Sequence, residues 1–404
     1  KSSFCPERFN FEFHYYNMAK TTIFDVLIVY SERLARSANS LSDKVLTPFP
    51  KGGNNETYNV VYGYFLTLCK KNNLKAAFTT SADIMGAGQC RSYWVFENNS
   101  WIKVRGIGYS KLIFDKFSPT NKRRKTSLKL LFSSYEVKPF NDPYLFNLFF
   151  DKQKTYKKLH KYSFPTVTIK DATRESIYRA RKKLNEIISR HPHKGDFSDE
   201  IIMKNRFGAG GINVYKFKAN QAKRMIAKMV RNEKISYIIQ PFAIFDKGFS
   251  YKNSVVAAEI RLIYLGGKII QTYIRMPKKG DFRCNEHQGG TLKYISKNEL
   301  PQKVVTRSNK ISHVLNKKCS LFALDFIISN NGNIYLLEGN TGPGLDWNLS
   351  IKENEIEAQK LIRIIIKELV RLVGLPILIF KKESHNIVPE VPISGEYPIM
   401  SNPV

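Results

Sequence analysis

The run Leu321 to Ser329 (LFALDFIIS), then Asn330-Asn331-Gly332-Asn333, then Ile334 to Gly344 (IYLLEGNTGPG), carries the acids with the clearest chemical meaning in the chain. Two apolar, β-rich segments flank Asn331-Gly332, the strongest short hairpin signal a sequence offers. The pattern predicts that these two residues form the whole loop. Asp325 then lies directly opposite Glu338, and because side chains alternate along a strand, Asn340 shares their face. Two carboxylates about 5 Å apart repel by roughly 3 kcal/mol at an effective dielectric near 20, and directly opposed like charges are unfavourable in a sheet. A cation between them resolves the conflict. Three oxygen donors without a nearby Cys or His suit a hard ion, Mg²⁺ or Mn²⁺. The competing reading is a solvent-exposed hairpin with two unrelated acids, and a loop one residue longer would break the register.

Two further stretches could handle phosphate. Lys204 ends an apolar strand and is followed by Gly208-Ala-Gly210-Gly211, so backbone N–H groups could approach a polyphosphate while the lysine supplies a point charge. The turn is neither a Walker loop, since no GK[ST] follows, nor a GxGxxG fingerprint. Arg275 to Gly290 (RMPKKGDFRCNEHQGG) places two arginines and a glycine pair ahead of the acidic hairpin, an arrangement suited to a developing oxyanion or phosphoryl group. A mobile basic loop is the alternative. Cys284 and His287 alone are too few to define a metal site.

Elements that hold these residues follow from periodicity. Thr22 to Tyr30 reads as a buried strand, Tyr58 to Lys71 as a helix, Ala76 to Thr80 as a strand, and Trp94 to Phe96 with Trp101 to Val104 as a hairpin about Glu97-Asn-Asn-Ser100. This alternation predicts a small open α/β sheet. After Pro143 come a basic helix (151–162), a strand (166–170), and a helix (173–190) with Ile177, Ala180, Leu184, Ile187 and Ile188 on one stripe. Strand 201–204, helix 220–232, strand 236–240 and two strands about Gly266-Gly267, at 259–265 and 268–275, are next. Ser350-Ile-Lys-Glu353 reads as a capping box opening a helix that Gly374 and Pro376 close. The division expected is an extension (1–17), an N-terminal α/β unit (18–142), a phosphate-loop unit (143–240), a metal and catalytic unit (241–374) and a proline-containing tail (375–404).

The 404 residues, 43% apolar and 13% aromatic, describe a folded chain with room for two or three cores. Apolar runs such as Val26 to Tyr30 are too short to span a bilayer, so no membrane association is expected. Five scattered cysteines without a CxxC pair support neither a disulfide framework nor a zinc ribbon. No secretory pattern opens the chain, which begins at Lys1, and Met18 is a candidate internal start; the expected location is the cytoplasm. Lys plus Arg number 65 against 34 Asp plus Glu, a net charge of +31. Such a field concentrates anions, but the basic residues are spread widely, so a dedicated nucleic-acid surface is not the favoured reading. An acidic substrate fits better.

Taken in order, these pieces resemble the ATP-grasp superfamily, nearest to ribosomal-protein glutamate ligases and bacterial glutathione synthetases, with a D-alanine–D-alanine ligase-like segment at Asn340-Thr-Gly-Pro-Gly344. The resemblance covers about 140–374. It rests on Asp151-Lys152 with Thr155-Tyr156, Pro165-Thr166, Ile202-Met-Lys204 with its glycines, Ile238-Ile-Gln240, Glu259-Ile-Arg261, the Arg275 to Gly290 run, Asp325, and Glu338-Gly-Asn340. The implied fold is α/β, an ATP-grasp fold behind an N-terminal open α/β domain. The implied cofactors are ATP and two Mg²⁺ (or Mn²⁺). By resemblance, Lys152 and Lys204 contact phosphates under a loop of Gly208, Gly210 and Gly211. Gln240, Pro241, Phe242 and Ala243 form the adenine hinge and Glu259 binds ribose. Asp325, Glu338 and Asn340 hold the metals, while Arg275, Arg283 and Asn285 stabilise the transferred group. Pro241 stands where relatives usually carry Glu, residues 244–258 lengthen the hinge connection, and Gly339 replaces a common branched residue.

The implied reaction is ATP-dependent ligation. A carboxylate attacks the γ-phosphate, and an amine displaces phosphate from the acylphosphate to form an amide. The expected partners are an amino-acid, peptide or protein carboxylate and an amine, acidic in character, with a homo-oligomer also open. Two alternatives stand: an ATP-grasp kinase acting on an anionic small molecule, and a nucleic-acid-binding protein with a vestigial nucleotide site.

Overall fold

The computed structural model describes residues 21–376 apart from 54, 120–121, 209, 219, 318 and 346–350. The expected N-terminal extension, Ser350 of the expected capping box, and all but the first two residues of the expected tail lie outside the described residues.

The apolar run Thr22–Tyr30 forms β1, with no helical spacing to compete. It is followed by α1 (Tyr58–Lys71), β2 (Ala76–Thr80), β3 (Ile84–Gly86), β4 (Gln89–Glu97), β5 (Ser100–Lys116), α2 (Lys122–Leu131) and β6 (Lys138–Pro139). The strands lie in the order β3-β4-β2-β1-β5-β6, with β1 parallel to both β2 and β5. Asn98 and Asn99 take positive φ (48° and 60°) and make the two-residue turn expected between β4 and β5. The basic cluster at Lys122 is the first turn of α2, a helix that its charge obscured.

The second unit comprises α3 (Pro143–Phe149), α4 (Lys152–Leu159), β7 (Val167–Thr168), α5 (Arg174–Ser189), β8 (Phe197–Asn205), β9 (Val214–Lys218), α6 (Ala222–Val230) and β10 (Tyr237–Ala243). Asp151 caps α4, and Thr173 caps α5 by accepting from Ser176 N. The sheet runs β7-β10-β8-β9. Helices α5 and α6 cover one face through Ile177, Leu184, Met225 and Met229.

The third unit begins with a small hairpin, β11 (Phe249–Tyr251) and β12 (Ser254–Val256), inside the lengthened hinge connection. It continues with β13 (Glu259–Leu265), β14 (Lys268–Met276), β15 (Thr291–Tyr294), α7 (Gln302–Leu315), β16 (Phe322–Ile328), β17 (Ile334–Asn340) and α8 (Lys352–Leu372). Its sheet has the order β15-β14-β13-β16-β17. The sequence reading passed over α7, although Val304, Val305, Ser308, Ile311 and Leu315 lie on one buried stripe. Helix α8 packs Leu361, Ile362, Ile365 and Ile366 into the core that holds Tyr62 and Phe65 of α1. Arg363 Nε also donates to Tyr64 Oη at 3.0 Å.

The β16–β17 hairpin departs from expectation in its loop and matches it at the acids. Ser329 N donates to Asn333 O and Gly332 N to Ser329 O, both at 2.8 Å, so the loop is three residues, Asn330 to Gly332. Gly332 closes it with φ of 77°. Near the turn the partners are Ile328 with Ile334, Ile327 with Tyr335 and Phe326 with Leu336. A bulge then inserts Leu337, and Asp325 faces Glu338 after all, with Ala323 opposite Asn340. The longer loop shifts the register by one residue and the bulge restores it.

Gly339 follows the bulge because the Phe149 ring of α3 occupies the space a side chain would need. Gly339→Val is therefore expected to lower stability by roughly 1–3 kcal/mol through overpacking. Thermal denaturation of Gly339→Val with and without Phe149→Ala checks this: the second change should make the first less costly, and independent effects would refute the contact.

Candidate active site

β10 and the β16–β17 hairpin form two walls of a cleft of about 120 Å³. Lys152, Lys204, Gly208, Gly211, Gln240, Pro241, Phe242, Ala243, Glu259, Arg283, Asn285 and Glu338 all line it. Gly210 belongs to the same turn, at φ of 67°. Arg275 and Asp325 are not in the wall and stand behind Glu259. Asn340 is two residues beyond Glu338, where its Oδ1 accepts from Gly342 N at 2.8 Å.

The cleft has an apolar and a charged part. Phe164, Phe245, Phe282, Ile327 and Leu337 supply flat hydrophobic surface. Leu337 reaches the cleft beside Glu338 because the bulge turns two consecutive side chains toward it. Gln240 Nε2 donates to Thr166 Oγ1 at 2.7 Å, which fixes the hinge strand. Lys216 lies over the Phe242 ring at 4.5 Å, and Phe282 meets Phe242 edge-on at 5.9 Å.

At the charged part, Asp151 both caps α4 and grips Arg206, at 2.7 Å to Nε and 2.6 Å to Nη2. This pair ties the start of α4 to the end of β8 and sets Lys152 beside the glycine turn, where its Nζ donates to Gly208 O. Gly211 abuts Asn285, whose Oδ1 would lie 2.7 Å from any Cβ at that position. The side chains of Lys204 and Glu338 make no hydrogen bond or ion pair with each other or with any other described residue. Burial and then the nearby Lys152 charge push the Lys204 ammonium down to about 8, opposed by Glu338 and Glu259.

Behind this wall is a buried ionic network that the sequence reading did not foresee. Arg261 binds Asp325 through two parallel bonds, Nε to Oδ1 at 2.6 Å and Nη2 to Oδ2 at 2.5 Å. Arg275 Nη2 bonds Glu259 and reaches Asp325 Oδ2 at 3.4 Å. Burial penalises the Asp325 carboxylate, but Arg261 and Arg275 outweigh it and hold its pKa below the usual range. The same guanidiniums supply part of the cation that the opposed acids require. Arg261 was legible only as the third residue of Glu259-Ile-Arg261; its position opposite Asp325 across β13–β16 is set by the sheet. Arg283 is turned to its own loop, pairing with Asp281 at 2.8 Å, and Cys284 is a buried thiol whose Sγ approaches Phe282 O. The His287 side chain lies outside the described residues.

The donor set fits a hard divalent ion held jointly with phosphate. Asp325, Glu259 and Glu338 set three carboxyl groups against the guanidiniums of Arg261 and Arg275; burial pushes the Glu259 carboxyl up to about 7 against the pull of Arg275, and the carboxyl group without a side-chain partner is Glu338. No group of three His, Cys, Asp or Glu among the described residues could hold a metal alone, so such an ion needs ligand oxygens from a bound nucleotide, the usual arrangement for Mg²⁺.

The chain belongs to the RimK-like ATP-grasp domain family, whose pattern matches residues 150–366. Among curated proteins it is similar to a probable alpha-L-glutamate ligase of Maridesulfovibrio salexigens, 26% identical over 180 residues, which cover 44% of this chain and 57% of that protein. The chain thus spans little more than half the length of the curated relative it matches. Among solved structures it is similar to D-alanyl-alanine synthetase A from Vibrio cholerae, with TM-score 0.53, 14% identity, and coverage of 88% of this chain and 99% of that one. It is also similar to an ATP-grasp ligase complexed with a phosphomimetic variant of a minimal precursor, Mg and ADP, with TM-score 0.51, 11% identity, and coverage of 86% and 99%. These likenesses establish the ATP-grasp fold. No described helix is long and apolar enough to cross a membrane.

Two predictions follow from the buried charges. Lys204 is held below its ordinary 10.5 in the folded state, so the unfolded chain binds more protons between about pH 8 and 10.5 and folding gains stability as pH rises through that window. At neutral pH this buried charge costs on the order of 3 kcal/mol. Lys204→Met should therefore raise the melting temperature of the nucleotide-free protein at pH 7, with the gain shrinking as pH rises from about 8 to 10.5. A pH series of melting curves tests this, and a gain that does not change with pH would refute it. Asp325→Asn leaves two buried guanidiniums under-compensated and should destabilise the fold by about 3–5 kcal/mol, whereas Glu338→Gln should leave it within about 0.5 kcal/mol. Urea denaturation separates the two.

Proposed function

We propose that this protein is an ATP-dependent carboxylate–amine ligase that forms an amide bond through an acylphosphate, with an acidic amino acid or peptide among its substrates. The observation that carries this reading is the unpaired Lys204 and Glu338 in one cleft, with an apolar slot on one side and a glycine turn on the other. That pairing suits a nucleotide: the base between Phe164, Phe245 and Leu337 with the hinge strand 240–243 along its edge, and the polyphosphate under Gly208 to Gly211.

In this reading Lys152 and Lys204 bind the phosphates, and their charge regains full value when the anion replaces water. Glu259 accepts from the ribose, with Arg275 opposing the burial that pushes its carboxyl up to about 7. Glu338 and Asn340, with Asp325 shared between Arg261 and the site, would hold Mg²⁺, which when bound neutralises the phosphate oxygens. Asn285 and Arg283, on the loop that abuts the glycine turn, face the transferred group; Arg283 would exchange Asp281 for it. A substrate carboxylate attacks the γ-phosphorus as the bond to the ADP oxygen breaks. A neutral amine then attacks the acyl carbon, phosphate leaves, and the amine proton passes to solvent. The described side chains provide positioning and electrostatics without a covalent nucleophile.

The test is ADP release across an amino-acid panel, with hydroxylamine added in parallel. An amine-dependent rate and a trapped acyl hydroxamate are expected. ADP release that needs a hydroxyl acceptor and gives no hydroxamate would favour a kinase, and salt-sensitive RNA or DNA binding without ATP affinity would leave the nucleic-acid reading. Glu338→Gln should reduce turnover at least 100-fold while the fold persists; retained activity would remove Glu338 from the site.

A further inference from the structure

The nucleotide cleft is on one face of the β16–β17 hairpin. On the other face, where α7 crosses the hairpin tip, a second groove of about 380 Å³ opens between Tyr162, the exposed side of α7, and the backbone of Gly332 to Ile334. Its side chains are strongly one-signed. Lys303, Thr306, Arg307 and Lys310 follow the i, i+3, i+4, i+7 spacing of one helix face, and no carboxylate lines the groove. Arg307 Nη1 donates to Ile334 O, which anchors that guanidinium at the floor. Lys303 and Lys310 are exposed and have no ion-pair partner among the described residues, and the same holds for Lys158 and Lys161 at the adjoining end of α4.

Three cations share one wall with no acid lining it, so their summed field favours an anion there. Their charge spacing narrows the choice. Lys303 and Arg307 are about 6 Å apart along the helix axis, close to the roughly 6.8 Å between alternate side chains of an extended peptide. Tyr162 is half-buried and the lining has no other aromatic ring, so stacking platforms that hold single-stranded bases are missing. Thr306 and Gln302 add neutral hydrogen-bonding groups.

We propose that this groove is an exosite for an acidic peptide segment, engaging two or more carboxylates at Lys303, Arg307 and Lys310 while the peptide's reacting end is handled elsewhere. The assignment rests on the ligase reading above for its biological sense, but not for its test. Ile334 at the groove floor is four residues from Glu338 on β17, about 13 Å along the strand, so a peptide of modest length could reach from one face to the other around the sheet edge.

The experiment is equilibrium binding of fluorescein-labelled hexaglutamate to the full chain without nucleotide, compared with hexaglutamine and with a twelve-nucleotide single-stranded RNA. Turnover plays no part, so a failed ligase assay and a failed exosite remain distinguishable. Hexaglutamate is expected to bind at least tenfold tighter than hexaglutamine, and Lys303→Glu/Lys310→Glu should weaken it at least tenfold without changing ATP affinity or the melting temperature by more than 2 °C. Equal affinity for hexaglutamine, or no loss in the double variant, overturns the proposal. RNA that binds more tightly and is lost in the same variant overturns it in favour of a nucleic-acid surface. Should the double variant unfold, Lys303→Gln/Lys310→Gln gives the same comparison with an expected loss of at least fivefold.

Discussion

Asp325 is fully buried, and the third sheet is arranged around the two arginines that meet it. Arg261 approaches from β13 and Arg275 from β14, so three strands are joined through charge as well as through backbone bonds. Removing one member leaves the others uncompensated in a low-dielectric interior, which is why such a network is more severe to break than valuable to form. Its benefit is geometric. Glu259 is pinned by Arg275 and presents its remaining surface to the cleft, and Asp325 sets the register from which Glu338 and Asn340 are measured.

The cleft divides the labour between fixed and adjustable parts. The β13–β17 sheet is tied through α8 to the core of the N-terminal sheet, so the acids rest on a well-anchored body. Lys204 and the glycine turn are carried by a smaller sheet with its own core of Ile177, Met225 and Tyr237. It is joined to that body by the 240–258 connection, by an apolar cluster in which Phe164 and Ala243 meet Ile327 and Tyr335, by α3 and α4 through Leu148 and Leu159, and by polar contacts. Among them Asp196 accepts from Asn331 at 2.8 Å and from Tyr335 at 2.5 Å. Lys152 and Lys204, two cations held near one another in a partly apolar wall, are less stable without an anion than with one.

Legibility differed from element to element for physical reasons. β1, α1, β2, β13 and β14 were readable to within a residue because each buries a continuous or strictly periodic apolar set. Helix α2 was hidden by its lysines and arginines, and α7 by polar residues that dilute its stripe. The β9 and β15 strands are half-exposed and carry little pattern. At the site, Lys204 with its glycine turn and the Asp325–Glu338 pair stood out by residue type and spacing, whereas Gln240 and Glu259, which line the same cleft, stood out only through the ordered family resemblance. Arg261 and Arg206 were not singled out, because their importance comes from partners far away in the chain, at Asp325 and Asp151.

The hairpin at 322–340 shows the division most clearly. By itself the sequence determined that two apolar strands meet at an Asn-Gly turn and that Asp325, Glu338 and Asn340 belong to one oxygen-rich face, because hydrophobic alternation and turn chemistry are local properties. Only the tertiary structure decided how that face is obtained. The loop has three residues instead of two, and a bulge at Leu337, which lines the cleft two residues before the Gly339 that meets the Phe149 ring, compensates for the shift. A bulge has no reliable local signature, since it forms where burial on both faces of a strand outweighs one lost ladder bond. The tertiary structure also chose the counter-charges, placing buried guanidiniums on Asp325 and leaving Glu338 open to the cleft.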